Sequence, residues 1–97
     1  MEDLLARLTT YVRALERGAA ATNRAEDRSD YQRRLAAAAQ IFAALQSGDR
    51  AGLRVLLNQE EHGTGWGFLA GTAGADAERA FTEFLHAARF SGATSAA

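Results

Sequence analysis

Asp3-Leu4-Leu5-Ala6-Arg7-Leu8-Thr9-Thr10-Tyr11-Val12-Arg13-Ala14-Leu15-Glu16-Arg17-Gly18 places large apolar residues at 4, 5, 8, 11, 12 and 15. That i, i+1, i+4, i+7, i+8, i+11 spacing is the buried stripe of an amphipathic helix. Asp3 stands where an N-cap belongs and Gly18 where a left-handed residue would stop the chain. The spacing predicts a first helix over 3–17.

The same period recurs three times. Tyr31, Leu35, Ala38, Phe42 and Leu45 form a heptad seam with Ile41 beside it, and Gly48 follows as a stop. Two capping-box patterns compete for the start, Ser29-x-x-Gln32 and the looser Asn23-x-x-Glu26. The second helix is therefore expected over 24–46, with a solvated first half and the longest span of the four. Asp49 caps an expected third helix over 50–61, with Leu53, Leu56 and Leu57 turned inward. Gly52 weakens its first turn by up to about 1 kcal/mol relative to Ala. A fourth helix is expected over 75–90, with Ala77, Ala80, Phe81, Phe84, Leu85 and Ala88 on one stripe. Asp76 and Glu78 suit the positive end of its dipole and Arg89 the negative end.

There is no Pro, no alternating pattern and no internal repeat. The fold reads as all-α, a small four-helix bundle-like domain over 1–90 with a Gly-rich loop between helices 3 and 4. Residues 91–97 read as a disordered tail.

Composition bounds the rest. Ninety-seven residues fit one domain. The hydrophobic fraction of 47% overstates the core, because 23 of those residues are Ala, which bury little apolar area. A small Ala-rich core together with the long 31–45 and 4–15 stripes leads us to expect a symmetric homodimer through helices 1 and 2. All 11 basic residues are Arg. The net charge of −1 is spread along the chain, without the basic stripe that nucleic acid requires. The absence of Cys excludes disulfides, thiolate chemistry and Cys-ligated metal. No apolar run approaches 18 residues and residues 2–3 are acidic, so neither a membrane span nor a secretion signal is expected and the cytoplasm is the default compartment.

Chemistry concentrates in Asn58-Gln59-Glu60-Glu61-His62-Gly63-Thr64-Gly65-Trp66-Gly67-Phe68-Leu69-Ala70-Gly71, which holds the sole Trp and one of the two His. Trp66 has two readings, a core plug turned in by its flanking glycines or an exposed anchor of the type enriched at interaction hot spots. Glu60, Glu61, His62, Trp66 and Phe68 are the candidate partner-binding residues.

A second constellation is Glu83-Phe84-Leu85-His86, a Glu-x-x-His pair that sets carboxylate and imidazole on one helical face. With the Glu60-Glu61-His62 cluster it offers a possible metal or ligand site, from Glu60, His62, Glu83 and His86, the narrower metal set being His62, Glu83 and His86. The Gly65-x-Gly67-x-x-Ala70 match to a dinucleotide fingerprint follows a helix instead of a strand and carries no weight. His62-Gly63-Thr64 lacks the elbow and oxyanion loop of nucleophilic catalysis. The turn at Gln46–Asp49 resembles a helix-turn-helix, but Arg50 and Arg54 are the main charged contacts its second helix offers.

The expectation is a non-enzymatic protein-interaction or regulatory module, without cofactor, binding a protein partner or itself. A metal- or ligand-binding protein or enzyme using Glu60, His62, Glu83 and His86, and a small nucleic-acid regulator, stand as alternatives, the last disfavoured by charge.

Overall fold

A computed structural model of the chain describes residues 2–63 and 71–93. They form four helices, α1 (Glu2–Ala21), α2 (Ala25–Ser47), α3 (Arg50–Gly63) and α4 (Gly71–Phe90), and no strand is present among the described residues. The all-α expectation holds. The α1 helix packs against both α2 and α4, and α2 packs against α3.

The α1 stripe lies inward as its spacing required, with Leu4, Leu8, Tyr11, Ala14 and Leu15 buried and Leu5 and Val12 half-buried. Its end differs from expectation. Gly18 does not stop the helix, which continues through the helix-forming Ala19, Ala20 and Ala21. Gly18 is itself buried, because Tyr31 of α2 crosses there and leaves no room for a side chain.

Neither capping box starts α2. Arg24 is the N-cap in extended geometry without a side-chain cap bond, and Glu26 and Asp27 supply negative charge to the first turn. Gly48 ends the helix in the left-handed conformation, φ 72°, which a side chain would oppose. The Asp49 N–H then donates to the Ala44 carbonyl at 3.0 Å, closing a Schellman turn.

The buried seam of α2 is rotated from the expected one. It runs through Asp27, Tyr31, Arg34, Ala38, Ile41, Ala44 and Leu45. Leu35 is half-buried and Phe42 is 42% exposed, although both were expected inside. Two charged residues, Asp27 and Arg34, occupy seam positions that an apolar pattern does not register.

Asp49 caps α3 as its position indicated, its Oδ1 accepting from the Gly52 N–H at 2.9 Å. Leu53 and Leu57 are buried, Leu56 is half-buried, and the helix runs to Gly63. The α4 helix begins at Gly71, four residues before the expected start, and buries its whole stripe of Ala77, Ala80, Phe81, Phe84, Leu85 and Ala88. The rings of Tyr11 and Phe81 meet at 5.3 Å and 54°, joining α1 to α4 in a tilted aromatic contact. Residues 91–93 form a turn, with the Ala93 N–H donating to Ala88 at 3.1 Å. Residues 94–97 lie outside the described residues.

Candidate functional site

Arg34 is fully buried on the α2 seam, and a buried guanidinium must be matched by acceptors. Its Nε donates to Asp30 Oδ2 at 2.9 Å, one helical turn back. Its NH1 lies 3.7 Å from Oε2 of Glu60, which α3 brings in from the other side. Glu60 is only 7% exposed. Arg33 reaches the same two carboxylates, at 2.9 Å to Asp30 and 3.4 Å to Glu60. Two arginines and two carboxylates thus tie the C-terminal half of α3 to α2.

The Tyr11 hydroxyl of α1 joins this network. Burial raises its pKa well above the ordinary phenol value and the Glu60 carboxylate adds to the rise, while the charges of Arg34 and Arg33 offset part of it. Burial also pushes the Asp30 carboxyl up, but the hydrogen bonds and charges of Arg34 and Arg33 together outweigh that and leave it lowered. Both carboxylates face guanidinium groups, so the arrangement is an internal clamp among three helices.

Glu60 therefore occupies a different place from its neighbours in the candidate docking cluster. Glu61 faces outward and takes a two-pronged hydrogen bond from Arg89 of α4, at 2.7 and 3.3 Å, which lowers its pKa. His62 is exposed, with Nε2 3.2 Å from Glu61 Oε1. Trp66 and Phe68 lie outside the described residues.

Glu83 and His86 share a groove between α1 and α4, beside Asp3 and Arg7, whereas His62 stands on α3. Among the described residues no three metal-ligating side chains come together. Arg50 and Arg54 are both exposed on α3, the latter beside Val55, Asn58 and Arg89. No helix among the described residues is long and apolar enough to cross a membrane.

Leu35 and Phe42, expected in the core seam, instead border an outer surface. Leu8, Val12, Leu35, Ala39 and Phe42 line an open groove between α1 and α2, with Arg13 and Glu16 at its edge. Residues 35–48, Leu-Ala-Ala-Ala-Ala-Gln-Ile-Phe-Ala-Ala-Leu-Gln-Ser-Gly, contain no charged residue. Ala36, Ala39, Gln40, Phe42, Ala43 and Gln46 in that stretch are nonetheless exposed.

Sequence reading found Glu60 but not the partners that bury it. The available signal was the position of Arg34, three residues after Tyr31 and four before Ala38, on the seam itself. The chain matches no protein family, no curated protein and no solved structure.

Proposed function

We propose that this chain is a non-enzymatic helical module that works through protein–protein contact as a homodimer, using the outer face of α1 and α2. The observation that carries the reading is the uncharged run 35–48, whose exposed side chains are Ala, Gln, Ser47 and Phe42. A helix face that meets water is ordinarily charged or polar, and a contiguous apolar patch on a small domain marks a place of association. Val12 and Leu35, both half-buried, extend that patch across the groove to α1. Three carboxylates, by contrast, are engaged with arginines: Glu60 and Asp30 inside, Glu61 with Arg89 outside.

Sedimentation across micromolar concentrations tests this. The expected mass is twice the 10.4 kDa of one chain, and Phe42→Asp lowers it to one chain while the helical circular dichroism persists. A single-chain mass for the unaltered protein at every concentration would overturn the reading.

A further inference from the structure

The four helices are not equally anchored. The α4, α1 and α2 helices pack in succession, and α3 has α2 as its principal neighbour, so α3 and α4 form the two edges of the bundle. The described residues of α4 bury six core side chains, two of them phenylalanines. Those of α3 bury Leu53 and Leu57, with Leu56 half-buried. Buried apolar area holds an edge helix to its neighbours, so the edge with less of it parts first. Taking α3 away leaves the contacts of α1 with α2 and with α4 in place.

Ion pairs supply the rest of the hold. Glu60, 7% exposed, stands 3.4 Å from Arg33 Nη1 and 3.7 Å from Arg34 Nη1. Glu61 takes the two-pronged bond from Arg89. Separated apolar surfaces forfeit their whole gain, but separated charges recover hydration, which offsets most of the attraction between them. The more exposed Glu61–Arg89 pair contributes less still. An edge held in this way parts at lower cost than the same area of packed leucine and phenylalanine. The Glu60 carboxylate nonetheless governs the docked state, because a buried guanidinium deprived of a counter-ion is strongly disfavoured.

The joint with α2 can turn without disturbing the other helices. Gly48 and Asp49 alone separate α2 from α3. Gly48 has φ 72°, and a Cβ built there would meet nothing within 4 Å, so the chain stands clear of its surroundings at this point. The turn is fastened to its own ends, by the Asp49 N–H to Ala44 at 3.0 Å and the Gly52 N–H to Asp49 Oδ1 at 2.9 Å. Element-terminal residues of this kind absorb the dihedral changes of a hinge. We propose that α3 is a hinged flap, which parts as one unit from a lasting body of α1, α2 and α4, turning at Gly48 with Glu60 as its latch. A helix of 14 residues is near the length at which isolated helices become marginal, so α3 loses its helical hydrogen bonds once parted and its amides exchange.

Native-state hydrogen exchange in low guanidinium chloride reads this opening. The amides of Leu56 and Leu57 are expected to be at least about tenfold less protected than those of Leu8, Tyr11, Phe84 and Leu85. Their dependence on denaturant should also be shallower, because less surface is exposed when α3 alone opens. Two variants separate a flap from global unfolding. Phe81→Leu weakens the α1–α4 contact, which the open state keeps, so it should speed exchange in α1 and α4 and leave α3 as it was. Glu60→Gln weakens a latch that every opening breaks, so it should speed exchange in all three helices by the same factor. Equal protection and equal denaturant slopes across α1, α3 and α4 would overturn the flap, as would α3 exchange that rises with Phe81→Leu. Unaltered α3 exchange in Glu60→Gln would overturn the latch.

Discussion

The Tyr31 ring of α2 lies over Gly18 of α1 so closely that a Cβ at position 18 would overlap its Cε1, Cζ and hydroxyl. Tyr31 is only 2% exposed, so its ring cannot swing into solvent to make room. Replacing glycine by alanine inside a helix ordinarily gains up to about 1 kcal/mol. Here overpacking of about 1–3 kcal/mol works against that gain, and Gly18→Ala is expected to lower stability. A thermal melt of Gly18→Ala at or above that of the unaltered protein would contradict the packing described.

The buried clamp makes a second prediction. Arg34→Met leaves Asp30 and Glu60 without their buried guanidinium and with Arg33 as their remaining cation. Removing one member of such a network costs about 3–5 kcal/mol. Urea unfolding should show that loss, and adding Glu60→Met should recover part of it, because the carboxylate that lost its partner is then also gone. A double variant that loses the sum of what Arg34→Met and Glu60→Met lose singly would mean that Arg34 and Glu60 are not coupled.

Asp49 gives a smaller and more local effect. Asp49→Ala removes the acceptor for the Gly52 N–H and should cost about 1 kcal/mol. Asp49→Ser, which keeps a capping oxygen, should recover most of it in the same denaturation experiment.

Stability should also depend on pH at both ends of the scale. Asp30 and Glu61 have lowered folded pKa values, so their contribution is present above the ordinary carboxylate value of about 4 and is lost as pH falls through the folded values. Tyr11 has a raised folded pKa, so its contribution is present below about pH 10 and is lost as pH rises through the folded value. Urea midpoints across the acid range test the first limb, and Arg89→Gln should flatten part of it. Phenolate absorbance tests the second: at least one tyrosine should ionise only as the helices unfold.

How much of this was legible in the sequence depended on whether apolar spacing alone decided the outcome. In α4 it did, and all six stripe residues are buried. In α2 it did not, because Arg34 and Asp27 occupy seam positions and a charged side chain does not register as core. One counter-ion of Arg34, Asp30, stands one turn back on the same helix, but the other, Glu60, is 26 residues away on another helix and no local pattern links it. Gly18 was misread for a related reason. A glycine can mark a helix end or a close approach, and the ring that distinguishes the two belongs to α2. The outward face of Phe42 became visible only once the seam had been placed.

The pairing of α1 with α4 has a consequence for the order in which the chain can become structured. The α2 and α3 helices are joined by Gly48 and Asp49 alone and pair as neighbours in sequence, but α1 shares its core with Phe81, Phe84 and Leu85 of the last helix. Leu4 and Ser91 line one groove at the end of the bundle where α2 turns into α3. During synthesis, Leu8, Tyr11 and Leu15 are therefore made well before Phe81, Phe84 and Leu85, which complete the core they share. Contacts of such wide sequence separation slow folding and leave that face uncovered in the meantime. Joining residues 2 and 93 by a short linker and opening the chain elsewhere would make these contacts local, and such a permutant should fold faster than the natural order.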